Sequence, residues 1–380
     1  MPVTSARPVA LVSGMVAGVP GQGGATWAVL QYVLGLRSLG WDVFLVESVP
    51  GERPGASVRR YFDEVCSRFG LEDRATLLPV SGEEGYGLTR RRIREAARNA
   101  DVLLDLAGTL RAPDILEAVP VRVYVDLDPG FTQLWQASEG IDMRLAGHTH
   151  HATVGRDIGE PSCTVPDLGI RWIPTLPPVS LGAWPAQRDD PRFAWTTLAN
   201  WRAYGSIEHD GRHYGQKAHA FRALIDLPVK TGDRFEVALA IHPDERRDLA
   251  ALRAHGWRLI APGEVSATPD TYGRFIRDSL GEIGVAKTGY VEADCGWFSD
   301  RSVCYLASGR PVVAQETGFG RRLPTGLGLL PFSTVDEAGA AIEAVRRDYA
   351  AHARAAREIA ETHFDARLVL ARLLDAVGVA

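Results

Sequence analysis

The chain has 380 residues, of which 46% are hydrophobic and 23% charged, and its net charge is −5. The length predicts a globular protein of two domains, and the negative charge argues against a nucleic-acid-binding protein. The first apolar run, residues 9–16, is too short for a signal or membrane-spanning segment and is interrupted by a glycine. The four cysteines show no C-x-x-C spacing, so neither a zinc site nor a disulfide framework is expected. We therefore predict a reduced, cytoplasmic protein.

The opening of the chain predicts the start of an α/β sheet. Residues 8–16 predict a strand, residues 18–24 a glycine-rich loop, residues 25–39 a helix with one apolar face, and residues 41–48 a second strand. This order of elements begins a doubly wound sheet. A dinucleotide site is not favoured, because the loop is long and Glu47 only weakly matches the acidic residue that such sites carry after the second strand.

Two aspartates and a group of histidines are candidates for chemistry in the first half. The strand V-R-V-Y-V-D-L-D ends in Asp126 and Asp128, and an acid at a carboxyl end is a candidate acceptor contact or general base, or a structural cap. If the next histidine-rich segment is extended, His148 and His150 share one face and His151 takes the other. His148 and His150 are therefore alternative candidates for the base, with a structural role as the other interpretation. We expect no metal site, because no further ligand lies close in sequence.

The boundary between the domains is predicted from proline content. Residues 159–192 contain seven prolines and no periodic pattern, which indicates an extended linker. Strands alternate with helices beyond it, so a second Rossmann-like sheet is expected. We place the first domain at residues 1–185, the second at residues 186–360 and a terminal helix at residues 361–380.

The stretch from Glu282 to Gly320 carries the most specific pattern. Residues 282–287 predict a buried strand, Ser299 and Asp300 are good N-cap residues for a helix, and residues 311–315 predict the next strand. The carboxyl edge of these strands should bring together Lys287, the new helix N-terminus and the loop that begins at Glu316. Unpaired amides and the helix dipole at that N-terminus favour binding of a diphosphate. Glu316 would accept hydrogen bonds from sugar hydroxyls.

The residues of this stretch resemble a known family. Asp294-Cys295-Gly296-Trp297-Phe298-Ser299, followed by Gly309-Arg310-Pro311, resembles the nucleotide-sugar box of GT-B glycosyltransferases, with Asp294 where the box has a phosphate-binding histidine. Glu316-Thr317-Gly318 resembles the loop that follows in the retaining branch. The resemblance implies an α/β GT-B fold of two Rossmann-like domains facing across a cleft, with the last helix crossing back to the first domain.

The resemblance also implies the donor contacts. The glycine-rich loop would face the cleft, and the Arg202 and Lys217 pair resembles the cations that hold the donor diphosphate. The residues expected at the donor are Gly23, Gly24, Arg202, Lys217, Lys287, Gly296, Trp297, Phe298, Ser299, Asp300, Ser302, Glu316, Thr317 and Gly318.

The expected activity follows from the same resemblance. It implies a bacterial, metal-independent glycosyltransferase of the small-molecule or natural-product type. Such an enzyme moves a sugar from a nucleotide diphosphate sugar to a small acceptor, with no other cofactor. A nucleotide-sugar epimerase on this fold and a catalytically silent nucleotide- or sugar-binding protein are the alternatives. The sequence leaves inversion or retention open, and also a monomer or a homodimer.

Overall fold

The computed structural model describes residues 7–82, 84–186 and 194–379, and these residues form two largely parallel β-sheets. The last six residues of the predicted linker, 187–192, lie outside the described residues. The second sheet begins at Trp195.

The first sheet has eight strands in the order β4-β3-β2-β1-β5-β6-β7-β8. The strands are β1 (Val9–Ser13), β2 (Asp42–Val49), β3 (Ala75–Pro79), β4 (Tyr86–Gly87), β5 (Val102–Leu106), β6 (Val121–Asp126), β7 (His150–Thr153) and β8 (Trp172–Pro174). All neighbours pair in parallel except β3 and β4. The helices between them are α1 (Gly23–Ser38), α2 (Ala56–Phe69), α3 (Arg90–Arg98), α4 (Pro113–Leu116) and α5 (Phe131–Ala137). The strand order reverses between β1 and β5, where open α/β sheets place their ligands.

The second sheet has six parallel strands in the order β13-β12-β9-β14-β15-β16, and a separate hairpin, β10-β11, follows its first strand. The strands are β9 (Trp195–Asn200), β10 (Ile207–His209), β11 (Arg212–Tyr214), β12 (Phe235–Ala240), β13 (Trp257–Ile260), β14 (Gly281–Gly284), β15 (Val312–Gln315) and β16 (Leu329–Phe332). The helices are α6 (Lys217–Ala223), α7 (Leu227–Thr231), α8 (Arg246–Ala254), α9 (Pro262–Ser266), α10 (Pro269–Arg277), α11 (Thr288–Ala293), α12 (Asp300–Ala307) and α13 (Val335–Arg347), with a 3-10 turn at Phe319–Arg321.

The central strands are buried on both faces. Ala10 and Val12 of β1 belong to one hydrophobic cluster, whereas Leu11 between them belongs to another cluster with Leu103 of β5. Strands covered on both faces are continuous apolar runs, which is why V-L-L-D-L could be recognised as a strand from sequence.

The last helix of the chain returns to the first domain. Beyond α13 the chain forms α14 (Tyr349–Ile359), a π-helical turn (Ala360–Phe364) and α15 (Ala366–Ala376), so the terminal helix predicted at residues 361–380 begins at Ala366. A Cβ added at Gly35 of α1 would overlap Leu370 and Ala366, so α1 and α15 are in close contact. The last helix therefore packs on the first domain, as expected. Among the described residues, no helix has the length and apolar character needed to cross a membrane.

Candidate active site

A cleft of about 660 Å³ lies between the two sheets. Its walls include Asn200 at the end of β9, Ala240 at the end of β12 and Lys287 after β14, and on the opposite side the glycine-rich loop at Gly21 and Gly24. Both sheets thus direct their ligand-binding edges at the same space, where a bound molecule would contact both domains.

The N-terminus of α12 faces this cleft. Ser299 has an extended backbone (φ −72°, ψ 134°), and its side chain makes no capping hydrogen bond. The first helical bond runs from Val303 N to Ser299 O at 3.1 Å, so the three preceding amides have no partner within the helix. Together with the helix dipole, these amides favour an anion in the cleft. Ser299 and Asp300 line the cleft, but Ser302 is buried and lines a small pocket behind it.

Lys217 is the first residue of α6 and lines the same cleft. Its side chain has only 9% relative exposure. Burial, followed by the positive charge of Arg301, lowers the pKa of Lys217 to about 7. Burial therefore disfavours the charged form of Lys217, and an anion bound in the cleft would stabilise it. This behaviour is typical of a cation that binds a ligand.

The second cation of the cleft is Arg301, which the sequence analysis missed. Its Nε donates to Glu282 Oε1 at 2.6 Å, and its Nη1 donates to the Leu198 carbonyl oxygen at 2.9 Å. Burial of Arg301 lowers its pKa, but the charge of Glu282, which is fully buried on β14, contributes to a net shift of that pKa above its ordinary value. Two unusual features of the sequence could have indicated Arg301. It is a cation in the first turn of α12, where the helix dipole disfavours positive charge, and Glu282 is an acid inside a buried strand and therefore needs a partner.

Arg202 does not occupy the predicted position beside Lys217. Its Nε donates to Glu245 Oε1 at 2.7 Å, and 45% of its side chain is exposed. Beyond the end of β9 at Asn200, Trp201 is buried in the core of the second domain, whereas the Arg202 guanidinium is held at the surface by Glu245. The structure therefore pairs Lys217 with Arg301 at the cleft.

Asp128 joins the two domains at the edge of the cleft. It accepts hydrogen bonds from the hydroxyls of Tyr204, at 2.7 Å, and Tyr290, and Lys287 Nζ lies 3.4 Å from both of its oxygens. The Lys287 ammonium also stands 3.9 Å above the Tyr204 ring. Asp128 is thus engaged by three groups of the second domain, and Lys287, although it lines the cleft, has its charge paired.

Asp126 has a structural environment. Its oxygens accept from Thr132 Oγ1 (2.7 Å), Thr153 Oγ1 (2.8 Å), Gln133 Nε2 (2.9 Å) and the Asp128 amide (3.1 Å), and the residue is fully buried. With four donors on two oxygens, the carboxylate organises the turn after β6. This is the capping alternative considered from the sequence.

The predicted histidine arrangement differs from the structure. β7 begins only at His150, and His150 pairs with Val123, three residues before the end of β6, so its place in the sheet is away from the cleft edge. His148 precedes the strand; its side chain is 2% exposed, and its Nε2 lies 3.2 Å from Asp105 Oδ2. His148 and His151 both pack against Tyr124, on the same side of the sheet. Neither His148 nor His150 lines the cleft.

The loop after β15 is organised around Glu316. Its Oε1 accepts from the amides of Thr317 (3.0 Å), Gly318 (2.7 Å) and Gly320 (3.2 Å), so the carboxylate organises its own loop. Glu316 does not line the cleft, and its contact with a sugar hydroxyl stays a prediction. Gly318 has φ 94°, a conformation that a side chain rarely adopts. Thr317 Oγ1 donates to the Trp297 carbonyl oxygen at 2.5 Å. This hydrogen bond connects the loop to residues 294–299, which we call the sugar-box segment.

The sugar-box segment itself is held by further contacts. Asp294, at the position of the family's histidine, accepts two hydrogen bonds from Arg321 Nη1 at 3.0 and 2.9 Å. Gly296 has φ 75° and packs against Asp157. Trp297 lines the cleft and stacks on Tyr290 with ring centroids 3.8 Å apart, whereas Phe298 is buried beside it.

The glycine-rich loop places Gly23 and Gly24 at the domain interface. A Cβ at Gly23 would overlap the Thr268 carbonyl oxygen, and one at Gly24 would lie 2.9 Å from the Tyr272 ring. These glycines therefore permit the close approach of α1 to α10. Gly24 also lines the cleft, but Gly23 is buried. Within the part of the chain that the structure describes, no group of three or more His, Cys, Asp or Glu side chains could hold a metal ion.

Solved structures share this architecture over the whole chain. An alpha-glucosyltransferase in complex with UDP gives a TM-score of 0.63 at 10% identity, with 98% of this chain and 100% of that chain covered. HepE of Anabaena, in complex with UDP and glucose, gives 0.59 at 12% identity, with 99% and 100% covered. Sucrose-phosphate synthase of Thermosynechococcus elongatus gives 0.55 at 14% identity, with 98% and 99% covered. No protein-family model matches the chain, and the curated proteins contain no similar sequence.

These comparisons define the fold. The chain has the GT-B fold, in which two Rossmann-like sheets face each other across a cleft. The fold predicted from the sugar-box segment is thereby confirmed. At sequence identities of 10–14%, the similarity concerns the fold.

Proposed function

We propose that the protein is a glycosyltransferase that uses a nucleoside diphosphate sugar as its donor. The observation that carries this proposal is the convergence of Lys217, Arg301 and the N-terminus of α12 on one cleft between the domains. One ammonium group, one guanidinium group and the amides of a helix N-terminus together match the negative charge of a diphosphate. Several solved structures of the same fold contain UDP, which makes UDP the first nucleotide to test.

The proposed chemistry depends on stabilising the leaving group. The bond between the anomeric carbon and the diphosphate oxygen breaks, and the diphosphate departs with the electron pair. The acceptor hydroxyl forms the new bond to the anomeric carbon, and its proton is released to solvent. Lys217, Arg301 and the α12 amides would stabilise the charge that develops on the diphosphate, which is commonly the largest catalytic contribution. These groups supply positive charge from the protein, so we propose that no metal is required.

We further propose that the acceptor is a small molecule. One alpha-glucosyltransferase of this fold has been solved with UDP and a 13-mer DNA. The present chain has a net charge of −5, and its cluster of arginines on α3 is tied to acidic groups, Arg90 and Arg94 to Asp114 and Arg91 to Glu95. A DNA substrate would require a positive surface to neutralise its phosphates.

The function can be tested by combining a binding and a turnover measurement. Thermal denaturation of the full chain with UDP, other nucleoside diphosphates and nucleotide sugars should show a raised melting temperature for one nucleotide family, because a ligand of the native state stabilises it by mass action. Nucleotide release from that sugar donor should then increase when acceptors are added. A changed sugar without nucleotide release would identify an epimerase, and binding without any turnover would identify a silent binding protein. A chain that binds no nucleotide would contradict the proposal.

Binding of UDP is expected to take up protons at pH 8. Free Lys217 has a pKa of about 7 and is mostly neutral at this pH, whereas a diphosphate beside it favours the ammonium and raises its pKa. The affinity for UDP is therefore highest between about pH 6 and pH 7, and it falls as pH rises from the pKa of free Lys217 through the higher pKa of Lys217 in the complex. Calorimetry in buffers of different ionisation enthalpy should show uptake of about one proton at pH 8, where a terminal phosphate with a pKa of about 6 is already ionised.

The same titration has matched controls. Lys217→Met should abolish the buffer dependence at pH 8, whereas Lys230→Met should preserve it, because Lys230 is an exposed residue of α7 paired with Asp336. Proton uptake that persists in Lys217→Met would assign the titration to another group.

A further inference from the structure

A second, smaller cavity of about 200 Å³ adjoins the donor cleft. It runs along α1, past Trp27 and Ala28, towards Cys304 of α12. The residues that it shares with the cleft are Gly24, Tyr272, Trp297 and Asp300, so the two spaces meet at these side chains. We refer to this second cavity as the side chamber.

The walls of the side chamber are mainly apolar and come from both domains and the linker. The first domain contributes Trp27 and Leu127, the linker contributes Pro177, and the second domain contributes Tyr272 and Phe298. At the inner end, Gln31 is already engaged, because its Oε1 accepts from the Ser180 amide at 2.7 Å and its Nε2 contacts Cys304 Sγ at 3.6 Å. The charged side chain that lines the chamber is Asp300, at the junction with the cleft.

The size and lining of the chamber indicate the chemistry of its occupant. An apolar cavity of about 150 Å³ holds a benzene molecule, so the chamber holds one six-membered ring with a short substituent. Aromatic walls favour stacking and edge contacts with such a ring. The polar groups that the walls leave available are the Tyr32 hydroxyl, which has no hydrogen-bond partner among the described residues, and the Asp300 carboxylate. A sugar or another polyhydroxylated molecule would therefore bury most of its hydroxyls against apolar walls, which is unfavourable.

We propose that the side chamber is the acceptor site and that the acceptor is a one-ring aromatic alcohol or phenol. This rests on the proposed function, because the sugar is supplied from the cleft. The ring lies between Trp27 and Tyr272, and the hydroxyl points to the junction, where the Asp300 carboxylate accepts its hydrogen bond. Asp300 Oδ1 accepts from Ser299 Oγ at 3.5 Å, and the carboxylate also accepts from the Arg301 amide. A carboxylate has about four acceptor positions, so capacity remains for an incoming hydroxyl.

Benzyl alcohol is a suitable probe, and its binding can be measured without turnover by calorimetry on the full chain saturated with UDP. Ala28→Phe should weaken benzyl alcohol binding at least about tenfold, because the new ring occupies the chamber. Ala28 lines the chamber and not the donor cleft, so the affinity for UDP should stay within about twofold. Ala350→Phe, on the exposed surface of α14, is the matched control and should change neither affinity. Ala28→Val is the milder variant, with a smaller loss expected, should the larger ring disturb folding.

The outcomes separate the two proposals. The acceptor assignment is overturned if benzyl alcohol binds the Ala28→Phe variant as tightly as it binds the unmodified chain. It is also overturned if the unmodified chain binds UDP but not benzyl alcohol. Transfer of sugar to monosaccharides but not to benzyl alcohol or phenol overturns it as well. A third outcome is that the chain binds no nucleotide, while its binding of benzyl alcohol is weakened by Ala28→Phe. This result would support the chamber as a site for aromatic rings and contradict the glycosyltransferase function.

Discussion

Replacement of Lys217 by methionine is expected to lower kcat about 10²–10³-fold, with a much smaller effect on KM for the donor. Lys217 is buried at the start of α6 and lines the cleft beside Arg301. Charge on the diphosphate grows as the bond to the sugar breaks, so a fixed cation stabilises the transition state more than the bound donor. Steady-state nucleotide release with a saturating donor measures this effect.

Two comparisons show whether the loss is chemical. Lys230→Met removes an exposed lysine that is paired with Asp336 and should leave kcat unchanged. The unfolding free energy of Lys217→Met should equal or exceed that of the unmodified chain, because a buried ammonium is replaced by an apolar side chain of similar length. An unchanged kcat in the Lys217→Met variant would show that Lys217 does not contribute to the reaction.

Replacement of Arg301 by methionine is expected to reduce both stability and turnover. The substitution leaves the fully buried Glu282 without its ion-pair partner, and breaking such a pair costs about 3–5 kcal/mol. It also removes a guanidinium from the wall of the cleft, for which we expect a loss of at least about 10²-fold in kcat. Urea denaturation and nucleotide release measure the two effects separately.

A double substitution distinguishes the two roles of this pair. Glu282→Gln combined with Arg301→Met removes the buried charge and should recover most of the stability, while kcat stays low. Arg222→Met breaks the exposed ion pair with Asp248 and should cost less than about 1 kcal/mol. Recovery of kcat in the double variant would mean that Arg301 acts only by neutralising Glu282.

Several elements could be predicted because their signals are local. The apolar run V-L-L-D-L is strand β5, and the capping residues Ser299 and Asp300 mark the start of α12. The donor cation expected at Lys217 is the first residue of α6. Hydrophobic period and end signals belong to a few neighbouring residues, and tertiary packing did not override them here.

The orientation of the histidines could not be predicted from the local sequence. Alternation of faces applies only within a strand. Since β7 begins at His150, His148 is not constrained by that alternation, and its ring packs against Tyr124 on the same side as His151. The start of a short strand depends on pairing with a neighbouring strand, here β6, which the sequence of the segment does not contain.

The sequence by itself indicated the alternation of strands and helices, the helix N-terminus at Ser299 and, through its resemblance to a known family, the GT-B fold, but not β8, the β10-β11 hairpin or α11. Only the tertiary structure decided which side chains act together at the cleft. Arg301 is held by Glu282, nineteen residues earlier, and Asp128 meets Lys287 from the other domain, 159 residues away. Helix and strand signals arise from neighbours along the chain, whereas the partner of a charged group is whichever residue the packing of two sheets brings within a few ångströms.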